Sequence, residues 1–511
     1  MITRKEQAML LNRRRLLQLG LPSLMLGSPL LNSCLKAGKS QESGGAAAAT
    51  QQGPRKFLFV FTAMGGASIN DSFLARRVSE VKDASTLNVF PDQLVKSIDG
   101  SDLRAVDIAS DAIGALPFEV KAVQSRFLAK YQKDIMVATM TGTSVAHPVA
   151  QHRSVTGNDA WDGRTLQEAI AAQYGKGLLL PNINMGTVGF AENGKDRSLP
   201  QFAVAEPVPD PAFFPFAMHG FKGISGAPDA SLINMARQLR DQKLEPQSAF
   251  MQTFGNHSMI QEWLKYREAQ SRFEAADVIN RLNPFAESKD LPFKNFGLEP
   301  RPDGEVLRAV FPDIGADPLQ TQALLAYLSV TQGLTCTATF GLGMNVTIDG
   351  KDADHPQLTN TPTAFDYSHN AHRATQAVLW HRILDTLDRL ITLLKVTEYQ
   401  DGESFWDHSM IYIATDFGRD KTRKENLREF PTGHDTNNGV VIISPLVNGG
   451  RVLGGVDSKT LKTYGFDPET GDPIPGRQMS EKEIYAGILQ ALAVDTSGTS
   501  LPSMRAMRRK A

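Results

Sequence analysis

Continuous apolar runs that end in polar or glycine-rich loops set the rhythm of this chain. Phe57-Leu58-Phe59-Val60-Phe61-Thr62-Ala63 closes on Met64-Gly65-Gly66, and Asp134 to Thr139 leads into Thr141-Gly142-Thr143-Ser144-Val145-Ala146-His147. An unbroken apolar run of this kind reads as a central strand buried on both faces, and the glycines after it permit a tight turn close to a ligand. The pattern recurs with Thr335 to Gly341, Ser409 to Ala414 and Gly439 to Ser444 as strands. Between them, Gln322 to Gly333 and the long stretch His369 to Val396 carry helical spacing, with Leu384, Leu387, Leu390 and Leu394 on one face of the second. Strands alternating with helices predict an α/β fold over about 55–500: a mostly parallel sheet covered on both faces, with function in the loops at the carboxyl ends of its strands.

Two regions depart from that rhythm. From about 231 to 290 long polar stretches carry helical spacing, as in Met259-Ile260-Trp263-Leu264, and predict a helical insertion or cap. At the start of the chain, Asn12-Arg13-Arg14-Arg15-Leu16-Leu17-Gln18 precedes an apolar stretch from Leu19 to Leu31 that is too short and too interrupted to span a membrane as a permanent helix. It resembles a twin-arginine export signal, with Arg13 and Arg14 as the pair; an ordinary secretion signal with an extra arginine is the competing reading. Leu31-Asn32-Ser33-Cys34 resembles a lipobox in which Cys34 would be acylated, against the plainer view that Cys34 is incidental. The signal then occupies 1–34, and 35–54, rich in Gly, Ala, Ser and Gln, is a flexible tether. These features predict a protein exported to the periplasm or cell envelope and anchored to a membrane by lipid.

Composition narrows the function classes. The 511 residues include 54 basic and 55 acidic side chains, a formal net charge of -1, so no global field draws nucleic acid. Two cysteines, Cys34 and Cys336, supply no disulfide framework, and Cys336 in its apolar run reads as a buried small hydrophobe.

The chemistry gathers where apolar runs end. Six of the ten histidines, His147, His152, His355, His369, His372 and His434, fall in predicted loops or at helix starts, where metal and proton-transfer groups sit. Asp366, His369 and His372 form one group: residues three apart share a helix face, so all three are candidate ligands. An N-cap by Asp366 with solvated imidazoles is the alternative. Asp416 follows the strand Met410 to Ala414 in a Thr-Asp-Phe-Gly-Arg turn; it is a candidate ligand or, in the plainer reading, a turn cap paired with Arg419. His434 and Asp435 lie in a loop before the next strand and complete the set. Mixed oxygen and nitrogen donors of this kind suit zinc, manganese, magnesium or calcium, one or two ions.

In this order the motifs resemble the alkaline phosphatase and sulfatase superfamily. Within it the chain looks most like a family of twin-arginine-exported bacterial proteins known as domain of unknown function fifteen-oh-one. The resemblance spans roughly 55 to 495 and rests on Gly65-Gly66, the His147 to Gly157 segment, the Gly333-Leu334 to Gly341 strand, Phe365-Asp366, Thr415-Asp416-Phe417-Gly418-Arg419, Gly433-His434-Asp435 and Gly449-Gly450-Arg451-Val452. It implies an alkaline-phosphatase-like three-layer sandwich and a two-metal site for phosphate or sulfate esters attacked by a hydroxyl. Carried over, Asp366, His369 and His434 would bind one ion and Asp416 the other.

The departures from that pattern are informative. The metal-binding Asp expected just after the first strand is replaced by Ala67-Ser68-Ile69-Asn70, leaving Asp71 later; Asp-His-Gly is replaced by Asp416-Phe417-Gly418; and His147 stands where a nucleophile is expected, with Ser144, Thr143 and Ser154 as substitutes. Two functions follow: an exported metal-dependent hydrolase acting on a small-molecule or polymer ester, with Ser144 and His147 as catalytic candidates, or a binding or structural protein of the cell envelope that keeps the fold without turnover.

Overall fold

The computed structural model describes residues 53–108, 124–218, 229–343, 364–423 and 429–509. Arg13, Arg14, Cys34 and almost all of the tether lie outside the described residues, as does His355. Among the described residues no helix is long and apolar enough to cross a membrane. The chain divides into two compact units, a smaller one over Asp210–Pro312 and a larger one built from the described residues before Asp210 and from Asp313 onward.

The larger unit is mixed α/β and is organised by an eight-stranded sheet. Its strands are β1 (Phe57–Ala63), β2 (Ile135–Thr141), β3 (Asn182–Asn184), β4 (Glu206–Pro207), β5 (Thr337–Leu342), β6 (Ser409–Ala414), β7 (Asn437–Ile443) and β8 (Arg451–Leu453). They lie in the order β8-β2-β7-β6-β1-β5-β3-β4. Every position of β1, β5 and β6 is buried. Since successive strand residues face opposite ways, both faces of the central sheet are covered, which is why these strands read as unbroken apolar runs.

Helices α1 (Gln124–Tyr131), α2 (His147–Thr156), α3 (Leu166–Tyr174), α4 (Pro318–Thr331), α5 (His372–Val396) and α6 (Glu481–Ala491) supply the cover. They pack in two sets, α1 and α4 against α5, and α2 and α3 against α6. The helix α6 begins with a capping box, the Ser480 hydroxyl and the Glu483 carboxylate each meeting the other residue's backbone N–H.

Two local results move residues that the sequence pattern had placed together. β7 runs antiparallel to both β6 and β2, whereas the remaining pairs are parallel. Its amino end therefore meets the carboxyl ends of β1, β2, β5 and β6, and the loop before it, which carries His434, arrives at the same edge of the sheet. The long helix expected from His369 starts later: Ala364–His369 is a 3-10 turn and α5 begins at His372. Ala371, with φ -143° and ψ 89°, breaks the two apart, so His369 and His372 do not share a helix face.

The smaller unit is helical where it is regular. It contains Ala230–Leu239 running into a π-helical turn Arg240–Leu244, then Ala249–Phe254, Ser258–Ala275 and Val278–Leu282. Its own core is modest, formed by Ile279, Phe293 and Leu298 with Phe216, Leu291 and Phe296 packed against them.

The turn after β1 fixes the spacing of the sheet's carboxyl edge. Gly65 and Gly66 have φ of +96° and +87°, and a Cβ on Gly65 would stand 2.3 Å from the backbone nitrogen of Asp366. Only glycine allows the Phe365-Asp366 backbone to pass so close. Gly65→Ala is expected to lower stability by about 2–3 kcal/mol, read by chemical denaturation; an unchanged midpoint would show that the 364–369 turn yields freely.

Candidate metal centre

Four segments converge at that edge. The loop after β2 delivers His147 as the first residue of α2, the 3-10 turn delivers Asp366 and His369, the turn after β6 delivers Asp416, Phe417 and Arg419, and the strand pair Gly418–Arg419 with His434–Asp435 delivers His434.

Their focus is one carboxylate oxygen. Asp366 Oδ1 lies 3.4 Å from His147 Nε2, 3.2 Å from His434 Nε2, 3.2 Å from His369 Nε2 and 2.8 Å from Arg419 Nη2. His369 Nε2 and His434 Nε2 are themselves 2.8 Å apart. Donor atoms of His147, Asp366 and His434 all lie within 4.8 Å of one another, a spacing that can hold a metal ion. Phe417 supplies the floor, its ring stacked on His434 at 4.0 Å between centroids and tilted against His147 at 4.8 Å.

The second nitrogen of each ring tests whether these histidines suit a metal. His147 Nδ1 is 2.7 Å from Asp416 Oδ2, and His434 Nδ1 is 3.2 Å from the Val145 carbonyl oxygen. A ring that donates its Nδ1–H to a carboxylate or carbonyl keeps the Nε2 lone pair for a ligand, which is how metal-binding imidazoles are held. Both rings meet that condition, and both Nε2 atoms point at Asp366. His147, Asp366 and His434 offer a donor set that could hold a divalent ion.

The carboxylates of Asp366 and Asp416 favour the protonated ring of His147, so an ion bound at its Nε2 would have to displace a proton. Burial alone would lower the pKa of His147, but hydrogen bonds and charge from Asp366 and Asp416 outweigh it and push the ring up to about 9. Burial would raise Asp366; its bonds to His147, His434 and Arg419 hold it far below the carboxylate range. His369 is pushed down by burial and by the Arg419 charge. Arg419 is 0% exposed and is consumed internally, donating to the carbonyls of Gly65, Phe365 and Thr432 as well as to Asp366.

Each residue expected at the site can now be placed. His147, Asp366, His369 and His434 come together. Asp416 does not join them as a metal donor: its carboxylate accepts from Gly65 N and Gly66 N, at 3.1 and 2.7 Å, and from His147 and Gln151, so it orients His147 instead. Asp435 neighbours His434 on a strand, where consecutive side chains diverge; it faces away and accepts from Asn437 N at 2.8 Å. Ser144 Oγ accepts from Ala146 N at 3.1 Å in its own loop, Thr143 Oγ1 bonds Glu481 and Arg153, and Ser154 Oγ donates to Gln151 O.

His372 belongs to a separate buried network. Its Nε2 is 3.0 Å from Asp71 Oδ2 and its Nδ1 is 2.9 Å from Thr432 Oγ1, so both ring nitrogens are taken. Asn88 Nδ2 also donates to Asp71. Arg419 and Gln151 were the contributors that sequence patterns left unassigned to this site. The Thr-Asp-Phe-Gly-Arg turn names Arg419, whereas no sequence signal marks Gln151, which reaches Asp416 from the second turn of α2.

No family model matches the chain, and no curated protein or solved structure matches it.

The Asp71 carboxyl carries a pH signature. Burial raises its pKa, but the charge and hydrogen bond of His372 outweigh this and lower it to about 2. A depressed folded-state pKa contributes stability that is present above about pH 4 and is lost as pH falls toward 2. Asp71→Asn is expected to lose about 2 kcal/mol at pH 7, and much less near pH 2, in denaturation curves at the two pH values. An equal loss at both would exclude the ionic contribution.

Proposed function

We propose that the protein is an exported metal-dependent hydrolase of phosphate, sulfate or related esters, with one divalent ion held by His147, Asp366 and His434, and His369 as a further donor. The observation that carries this reading is the approach of three imidazole Nε2 atoms to Asp366 Oδ1, two of them with Nδ1 already bonded to oxygen. The place in the fold supports it, since ligands of open α/β sheets bind at the carboxyl ends of the strands. The alkaline-phosphatase-like sandwich and the superfamily resemblance belong to the same proposal.

One ion is the count we favour. The donors of a second are spoken for: Asp416 is filled by backbone N–H groups and His147, and the guanidinium of Arg419 lies on Asp366 as a permanent cation. A divalent ion would supply Lewis acidity, neutralising charge on the ester oxygens and making a water nucleophilic near neutral pH. The chain's own residues do the remaining work. Asp416 holds His147 by Nδ1 in a single orientation, Arg419 keeps Asp366 ionised, and Phe417 excludes water from beneath His434 and His147. The nitrogen-rich donors point to zinc as the first ion to test.

A second reading, a cell-envelope binding or structural protein without turnover, is favoured by one observation. Ser144, Thr143 and Ser154 each spend the hydroxyl on a local partner, and the attacking group of the hydrolase would then be water. Export through Arg13 and Arg14, and anchoring through an acylated Cys34, are part of either reading. Cys34→Ala is expected to move the protein from the membrane to the soluble fraction, and unchanged fractionation would remove the lipid anchor.

Elemental analysis of protein purified without chelator, paired with hydrolysis of aryl phosphate and aryl sulfate esters, tests the proposal. About one equivalent of metal is expected, reduced at least tenfold in Asp366→Ala and His434→Ala, with ester hydrolysis falling about 100-fold or more. Asp416→Asn is expected to weaken metal binding about 10- to 100-fold without abolishing it. Metal without hydrolysis would select the binding protein; no metal after resupply would overturn both the site and the hydrolase.

A further inference from the structure

The helical unit leaves its largest apolar side chains in water. Leu232, Met235 and Leu239 on the first helix, Leu244 on the π-helical turn, Phe250 and Phe254 on the next helix, and Met259 and Trp263 on the third are between 47% and 71% exposed. No comparable concentration occurs elsewhere among the described residues, whose other exposed large hydrophobics are scattered.

The arrangement is regular. Leu232, Met235 and Leu239 follow the i, i+3, i+7 spacing of a helix stripe, and Phe250 with Phe254 and Met259 with Trp263 each sit one turn apart. Phe250 and Phe254 meet at 5.5 Å between centroids. Arg267 pairs with Asp241 and Glu245 and lies over the Trp263 ring at 4.5 Å, which ties the π-helical turn to the third helix. These contacts fix the third helix against the π-helical turn, and apolar stripes of this kind pack against another helix face rather than remain solvated.

We propose that this face is the dimerisation surface of the protein, and that its occupant is the same face of a second copy. Two features select that occupant. The first is charge: residues 230–263 hold three basic side chains, Arg237, Arg240 and Lys243, and three acidic ones, Asp241, Glu245 and Glu262. A two-fold interface brings a patch against itself, so a patch of one sign repels its copy while a balanced one does not. An anionic membrane surface instead selects helices rich in Lys and Arg on the polar face, which this one is not. The second feature is area. Side chains of this size carry about 150–250 Å² each, and at these exposures the eight leave on the order of 900 Å² of apolar surface, close to what one partner brings to a stable interface.

Sedimentation equilibrium of the full chain, with the double variant Met235→Glu/Met259→Glu beside it, decides the matter. Wild-type protein at micromolar concentration is expected to show twice the chain mass. The double variant is expected to show the chain mass, or at least a tenfold weaker dimer, with the circular dichroism spectrum unchanged because both positions are exposed. Leu239→Glu alone provides a second variant should the double change disturb folding. The proposal is overturned if the wild type stays at the chain mass at tens of micromolar, or if its dimer persists with unchanged affinity in the variants. A wild-type monomer whose cosedimentation with phosphatidylcholine vesicles is lost in the double variant would also overturn it and assign the face to lipid.

Discussion

The carboxyl edge of the sheet depends on the Asp416 carboxylate. Its side chain is fully buried, a placement that costs free energy unless every lone pair is used. Here they are used on two elements at once: the N–H groups of Gly65 and Gly66 in the turn after β1, and Gln151 and the ring nitrogen of His147 on α2. The same bonds that satisfy the charge define where β1 turns, where α2 begins and which nitrogen His147 offers to the site. The glycines are the other half of this constraint, since a side chain at Gly65 would occupy the path of the Asp366 backbone.

Charge balance follows from that geometry. Asp366 and Asp416 both bond the His147 ring, and Arg419 offsets Asp366 directly, with its guanidinium bonded to three carbonyls and one carboxylate. A buried arginine so fully bonded is no substrate contact; it is a fixed cation that holds Asp366 anionic and in place. The Asp71–His372 pair repeats the principle a layer away, with Thr432 linking the two: its hydroxyl meets His372 and its carbonyl accepts from Arg419. The candidate donors His147, Asp366 and His434 therefore rest on neighbours that are nearly all buried.

Much of this was legible in the sequence and part was not, for identifiable reasons. The apolar runs that become β1, β5 and β6 are buried on both faces, so composition alone marks them. The antiparallel direction of β7 carries no such mark, because its residues Asn437–Ile443 are equally buried either way; only pairing between β6 and β2 sets it. The reading of Asp366, His369 and His372 as one group failed for His372 because an extended Ala371 separates the 3-10 turn from α5, a single-residue break that periodicity does not register. Asp435 was attractive because it adjoins His434, and strand alternation removes it. Asp416 was expected as a ligand and lies instead on two backbone amides and His147, since a carboxylate at a strand end looks the same in sequence whether it meets a metal or backbone amides.

What the sequence by itself determined is the material: buried strands, covering helices, a polar helical segment, and carboxylates and imidazoles placed at the ends of apolar runs. These are local properties, written in runs and spacings of a few residues. The tertiary structure decided which of those groups face one another. Residues as distant as His147, Asp366 and His434 meet only because four strand ends share one edge, and His372 leaves them for Asp71 because its helix starts three residues beyond His369. Long-range register and the exact point where a helix begins select the donors, and neither is encoded in the neighbourhood of any one motif.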